Sequence, residues 1–310
     1  VNTELRNKLE RFKGSAPCSF REHVTIAPLT TFRVGGKADI LAEPKSESEL
    51  VALLRVLRDL EIPHFYLGLG SNILVSDAGI RGVVIRSHSE LADISVDDTI
   101  VTAGPAARLL LMTTCAASHS LSGLEPLSGI PGTVGGGLFM NAGAYGGEIS
   151  DTLIDVRVLT PELAIKTLAK SEISFGYRSA PELHDVIVLA SRYQLKRADQ
   201  AAIFSEMRRV WHLRRDKQPI EYPSAGSIFK RPPGDFAGRL IEAAGCKGLR
   251  IGGAMVPTTH AGIFINDRAG TATEIAELIK TVRTRVRDQF SVVLDNEILP
   301  VGFDADPFEL

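Results

Sequence analysis

Three polar side chains stand in stretches otherwise made of apolar, glycine and proline residues: Arg178 in FGYRSAP, Ser227 in SAGSIFKRPP and Glu297 in LDNEILPVG. A cation, a hydroxyl and a carboxyl are the types from which acid–base and charge-stabilising sites are assembled. Taken singly, each also has a structural explanation. Arg178 can pair with a carboxylate, Ser227 can cap the preceding turn, and Glu297 can close a salt bridge. Two glycine-rich segments carry a second kind of chemistry, Gly68-Leu-Gly-Ser-Asn72 and the run from Gly129-Ile-Pro-Gly132 to Gly146. Glycine lets backbone N–H groups approach a ligand, and successive N–H groups in a turn form an anion site. Such segments could hold a dinucleotide's pyrophosphate, or they could be turns in a β-rich domain. Both readings are open at this point.

Other chemistries lack their patterns. The first glycine segment does not match GxGxxG and no ribose-binding acid follows at the right spacing, so a Rossmann fold is not expected. A Walker loop is absent. Ser227 is not in a GxSxG elbow, and His23, His64, His88, His119, His184, His212 and His260 show no HExxH spacing. Neither a hydrolase nucleophile nor a metal site is expected.

The elements that must position these residues follow in chain order. Ser46 and Glu49 form a capping-box pattern before Leu50, Leu53, Leu54 and Leu57 at helical spacing, with Pro63 beyond. HFYLGLGSNILV reads as strand, glycine turn and short strand, and GVVIR at 82–86 as another strand. Pro105 suits a helix start before ARLLLMTTCAASHSL. From Pro126 to Gly147 the chain carries no charge, but eight glycines and two prolines there remove helix propensity. Turns are expected, not a membrane span. LIDVRVLT, LAIKTL, EISFGY and VIVLASRYQL predict a mainly antiparallel sheet ending near residue 197. A charged helix follows from Asp199 to Lys217, whose basic cluster reads as a solvated face. Asp235 can cap a short helix that Gly245 ends, and Thr271 with Glu274 caps a helix whose stripe is Ile275, Leu278, Ile279, Val282 and Val286. SVVLDNEILPVG reads as a final strand.

At 310 residues the chain exceeds a single core, and its 44% hydrophobic and 23% charged content is globular. A formal charge of -2 offers no reason to expect nucleic acid or an acidic membrane as partner. Cys18, Cys115 and Cys246 are few and far apart, without CxxC spacing, and the charged N-terminal stretch VNTELRNKLERFKG does not look like a signal peptide. A monomer in a reducing cytoplasm is the expectation.

Together the runs Thr31-FRVGG, Gly68-LGSN, Gly129-IPGTVGG with MNAGAYGGE, Tyr177-Arg178, Ala225-GSIFKRP and Glu297 resemble the UDP-N-acetylenolpyruvoylglucosamine reductase family over some 270 residues. Each run is weak alone, and the signal lies in their order and spacing. Ala225-GSIFKRPPGDFAGRLI leads without a large insertion into His260-AGIFIN, which resembles the shorter, type II branch. The resemblance implies an α+β fold: an FAD-binding, flavin-oxidase-like (PCMH-type) domain in two parts, residues 1–88 and 89–200, and a C-terminal α/β substrate-binding domain, 201–310. It implies FAD held by Gly68, Leu69, Gly70, Ser71, Asn72, Ile73, Leu74, Gly129, Ile130, Pro131, Gly132, Gly135, Gly136, Asn141, Gly143, Ala144, Gly146 and Arg178.

The implied reaction uses NADPH to reduce the flavin, which then passes hydride to the enolpyruvyl C3 of the sugar nucleotide. Charge left on C2 spreads into the neighbouring carboxylate, where Arg178 can stabilise it with two hydrogen bonds. By the same resemblance Ser227 donates the proton to C2, Glu297 assists that centre, and Lys230 and Arg231 are candidate pyrophosphate contacts. Leu299 stands where the family often has Arg, and the longer branch's substrate-gripping tyrosine loop has no counterpart. The alternatives are a flavin oxidase of similar architecture or a redox-inactive nucleotide-sugar-binding protein.

Overall fold

The computed structural model of the chain describes residues 3–310. Compactness divides it into two units, each drawn from three stretches: 1–21, 41–69 and 84–213 in the first, 22–40, 70–83 and 214–310 in the second. A four-stranded sheet runs in the order 19–25, 37–43, 80–85, 64–66.

In the first unit, helix α1 (Thr3–Lys13) precedes α2 (Glu47–Asp59). Ser46 caps α2 by accepting from the Glu49 N–H at 3.2 Å, and Leu50, Leu53, Leu54 and Leu57 are buried. The capping pattern and the apolar stripe are thus both realised. The unit's main sheet is antiparallel throughout, in the order 165–169, 153–159, 187–194, 100–103, 94–97. Its core joins Val101, Leu153, Val156, Val158, Val188 and Tyr193 to Leu109, Met112 and Ala116 of α3 (Leu109–Ser118). Each fully buried side chain of this size contributes roughly 1.5–3 kcal/mol. Asp155 and Arg192 stand opposite each other on adjacent strands and pair through both carboxylate oxygens.

Four expectations fail here for physical reasons. The helix after Pro105 begins four residues later, because the carbonyls of Pro105 and Ala107 accept from the Gly135 and Val134 N–H groups, and 105–107 form a turn and bend instead. EISFGY is not a strand, since Glu182 captures both the N–H and the hydroxyl of Ser174 and Ile173 N–H turns back to Lys170. The glycine-rich run is not turn throughout, for α4 (Val134–Phe139) includes three consecutive glycines. Thr133 caps it, and a Cβ on Gly137 would lie 3.2 Å from Ile149, so close packing overrides the cost of about 1 kcal/mol per glycine. Among the described residues no helix is long and apolar enough to cross a membrane. The fourth concerns SVVLDNEILPVG, which is not one strand. It bridges Phe229 at Asn296, and only Leu299–Val301 forms a strand, parallel to Ile73–Val75.

Helix α5 (Gln200–Lys217) leads into the second unit. There α6 (Ala237–Ala243) and α7 (Ala272–Phe290) pack around Phe32, Leu74, Ile228, Phe264 and Ile298. The predicted stripe of α7 is completely buried from Ile275 to Val286. Asp235 does not cap α6; Phe236 occupies that position, and Asp235 binds the Phe236 N–H and Arg239 instead. Thr271 and Glu274 cap α7 reciprocally. A residue far away in sequence completes the cap: Asp77 accepts from the N–H groups of Ala272 and Thr273, both at 2.9 Å, and from the Thr273 hydroxyl at 2.8 Å.

A carboxylate at a helix N-terminus also opposes the helix dipole. Asp77→Ala is therefore expected to destabilise the protein by about 1–2 kcal/mol. Chemical denaturation should show a lower midpoint, and an unchanged midpoint would mean that Thr271 alone suffices.

Candidate active site

In the first unit the candidate residues gather around a hairpin and a turn. Gly143–Ala144 pairs antiparallel with Gly147–Glu148 across Tyr145 and Gly146, whose φ values are 51° and 87°. Two left-handed residues in a two-residue loop are the mark of a type I′ turn. Asn141, wholly buried at φ 41°, donates from Nδ2 to Glu148 Oε2 at 2.7 Å and to the Gly176 carbonyl at 2.9 Å. One side chain thus ties the hairpin to a second turn, Gly176-Tyr177-Arg178-Ser179.

That turn is closed by hydrogen bonds in both directions between Gly176 and Ser179, at 2.9 and 3.2 Å. Arg178 occupies its third position at φ 54°, a conformation usually left to glycine or asparagine. Its Nη2 donates to the Gly143 carbonyl at 2.8 Å, and its guanidinium lies 5.0 Å from the centre of the Tyr177 ring. Left-handed backbone at bulky residues costs on the order of 1–3 kcal/mol each and collects at functional sites. Asn141, Tyr145 and Arg178 place three such residues in one cluster.

The segment Gly68–Leu74 supplies the second glycine site. Gly70 is left-handed at φ 64°, and a Cβ there would fall 2.8 Å from the Leu29 carbonyl. The Gly70 carbonyl is held by the Thr31 N–H at 3.1 Å. Among the described residues, none of the backbone N–H groups from Gly68 to Asn72 meets a backbone acceptor of the protein. A row of free N–H groups in a glycine turn is a nest for phosphate oxygens. Ile73 and Leu74 continue as strand with buried side chains, so they offer backbone only.

In the second unit Ser227 is exposed and follows Gly226, which is left-handed at φ 70° with open space where a Cβ would stand. From Ser227 the chain runs extended, bridging Ile263 on one flank and Asn296 on the other. Ile228 N–H donates to the Gly262 carbonyl at 3.0 Å, and Glu297 N–H donates to the Ile228 carbonyl at 2.8 Å. Ser227 and the buried Glu297 therefore sit on neighbouring stretches of backbone. Lys230 is half-buried with its N–H on the Asp295 carbonyl, whereas Arg231 is exposed and lies 4.7 Å over the Phe236 ring.

These residues suit a flavin dinucleotide. The row of N–H groups from Gly68 to Asn72 has the chemistry to meet its pyrophosphate. Three further residues support the site although their side chains have no chemical role assigned by pattern. Thr133 caps α4 and lies 2.7 Å from where a Gly68 Cβ would be. Glu148 and Gly176 are the two acceptors of Asn141. Both lie within or beside the runs singled out in the sequence, yet only the fold shows what they hold.

Residues 38–168 match the family model of an FAD binding domain, and residues 218–301 match that of the UDP-N-acetylenolpyruvoylglucosamine reductase C-terminal domain. A UDP-N-acetylenolpyruvoylglucosamine reductase of Streptococcus pneumoniae (strain JJA) is 45% identical over 299 residues, covering 96% of this chain and 98% of the relative. Its counterpart from strain CGSP14 is 46% identical over the same shares. The crystal structure of UDP-N-acetylenolpyruvylglucosamine reductase from Thermus caldophilus aligns with a TM-score of 0.79 at 36% identity, covering 91% of this chain and 100% of its own.

The hairpin offers a ranked test. A Cβ on Gly143 would lie 2.7 Å from Glu148 Cγ and 2.8 Å from the Gly147 carbonyl, whereas one on Gly146 meets nothing within 4 Å and suffers only its positive φ. Gly146→Ala should cost about 1 kcal/mol, from its backbone conformation alone. Gly143→Ala should lower the melting temperature further, and the reverse order would contradict the hairpin packing.

Proposed function

The chain belongs to the UDP-N-acetylenolpyruvoylglucosamine reductase family, and we propose that it reduces UDP-N-acetylglucosamine enolpyruvate to UDP-N-acetylmuramate, a step in peptidoglycan precursor synthesis. The observation that carries this reading is that one alignment with a UDP-N-acetylenolpyruvoylglucosamine reductase spans 96% of the chain at 45% identity; the roles given to Arg178, Ser227 and Glu297 are those that the resemblance implies. When bound, FAD would supply the hydride-carrying chemistry between NADPH and C3 of the enolpyruvyl ether. Gly68–Asn72 would hold its pyrophosphate, with Gly129, Ile130, Pro131, Gly132, Gly135, Gly136 and the 141–146 hairpin around the rest.

This chain's side chains do the remainder. As C3 becomes a methyl group, the electron pair of the broken double bond collects on C2 and its carboxylate. Arg178 neutralises that charge, and the strained turn fixes where its guanidinium points before substrate arrives, so little reorganisation is needed during reaction. Ser227 gives its hydroxyl proton to C2 and regains one from water. Its exposure and the open space at Gly226 leave room for the substrate to approach. Glu297, buried on the adjoining stretch, assists at the same carbon. Lys230 and Arg231 would contact the substrate's pyrophosphate.

We propose a monomer working in the cytoplasm. Free thiols at Cys18, Cys115 and Cys246 suit a reducing compartment. Burial pushes the Cys18 thiol up to about 11, which keeps it unreactive. The division 1–88, 89–200 and 201–310 is likewise a proposal, one about modules of chemistry.

A visible spectrum of the purified protein tests the function. Flavin should bleach with anaerobic NADPH and recover on adding the sugar nucleotide. Recovery with oxygen alone would instead favour an oxidase, and nucleotide binding without flavin would favour a redox-inactive protein. Ser227→Ala should leave the NADPH step nearly intact and slow the sugar-nucleotide step by about 10²–10⁴-fold. Equal slowing of both steps would remove Ser227 from the proton-donor role.

A further inference from the structure

Asn72 does more than end a phosphate loop. Its Nδ2 donates to the carbonyl of Glu297 at 3.0 Å, and its own carbonyl accepts from the Leu299 N–H at 3.0 Å. The two bonds grip the backbone on either side of Ile298. Immediately beyond them the strands run in parallel register, Leu299 with Ile73 and Val301 with Val75. The Glu297 N–H is held from the other flank by the Ile228 carbonyl at 2.8 Å. Glu297 therefore has both its backbone polar groups fixed, one by the segment that carries Ser227 and one by the segment that carries the free N–H row.

We propose that Asn72 is a positioning residue for Glu297, so that loading the Gly68–Asn72 nest with a flavin dinucleotide's pyrophosphate tightens the backbone that aims the Glu297 carboxyl. The mechanism is local. An anion drawing in the N–H groups of residues 68–72 restrains the Asn72 backbone, and the restraint passes through one side-chain and one main-chain hydrogen bond to residues 297–299. Such bonds are modest singly, but each restricts the same short segment. This rests on the reductase reading for the role of Glu297, but the coupling itself is a property of the backbone.

The first test needs no turnover. Hydrogen exchange would be followed at amides 296–299 in apo-protein and in FAD-loaded protein, for wild type and for Asn72→Asp. The aspartate is isosteric and loses the donor; Asn72→Ala serves as a second variant should the new charge weaken FAD binding. FAD should slow exchange at 296–299 at least about tenfold in wild type and less than about threefold in the variants. Equal protection in all three proteins would overturn the proposal, as would none in wild type.

The second test separates the half-reactions. The variants should slow flavin reoxidation by UDP-N-acetylglucosamine enolpyruvate at least about tenfold more than flavin reduction by NADPH. In a Glu297→Gln background, adding Asn72→Asp should cost less than about threefold more, because both changes act through one group. Fully multiplicative effects would make Asn72 independent of Glu297 and sink the idea. Should wild-type flavin ignore the sugar nucleotide, the reductase reading fails by itself, and the exchange data still decide the coupling.

Discussion

The parallel pairing of Ile73–Val75 with Leu299–Val301 constrains more of the second unit than any other contact. It joins residues separated by more than two hundred positions, with Asn72 and Glu297 some 225 apart at its edge. Closing so long a loop has an entropic cost that grows only slowly with length, yet it must be met before the strands gain anything. The apolar packing around Leu74, Ile298 and the buried stripe of α7 offsets it. Asp77, just past the same strand, then reaches the N-terminus of α7. A three-residue strand would be marginal alone. Here it is the seam along which an early segment, the last strand and the longest helix of the unit are registered.

Backbone strain is the complementary theme in the first unit. Asn141, Tyr145 and Arg178 adopt left-handed conformations that glycine would take without penalty. Their persistence requires surroundings that leave no cheaper alternative, and the Asn141 bonds to Glu148 and Gly176 supply that. The arrangement fixes the Arg178 backbone in its turn and ties its Nη2 to the Gly143 carbonyl. Stability elsewhere, including the antiparallel sheet and its Tyr193 core, compensates for a few kcal/mol spent in this way.

Periodicity and capping chemistry made much of the scaffold readable. Ser46 with Glu49, Thr271 with Glu274, and the stripes behind them determine helices whose signals are local. The central strands of the antiparallel sheet were equally plain. Elements defined by distant partners were not. Three glycines form part of α4 only because Pro105, Leu109 and Ile149 pack where side chains would be. EISFGY looks like a strand until Glu182 takes the Ser174 N–H and hydroxyl. SVVLDNEILPVG changes partner between Asn296 and Leu299, which no pattern within it announces. In the candidate site, glycine-rich runs and isolated polar residues mark segments that the fold places in turns, a hairpin and neighbouring stretches of backbone. The ties made by Asn141, Thr133 and Asn72 depend on three-dimensional neighbours that spacing cannot disclose.

The seam at 73–75 also bears on how the molecule is made. During synthesis the first of the two strands leaves the ribosome long before its partner exists. With about 225 residues between their edges, elongation at roughly 5–20 residues per second separates the two by roughly ten to forty-five seconds. Through that interval the nest at Gly68–Asn72 has its free N–H groups but not the strand that fixes its far end. Residues 68–72 thus gain their final backbone partner only late in synthesis. The first unit's sheet, complete by residue 194, can form while the second still waits for its final strand.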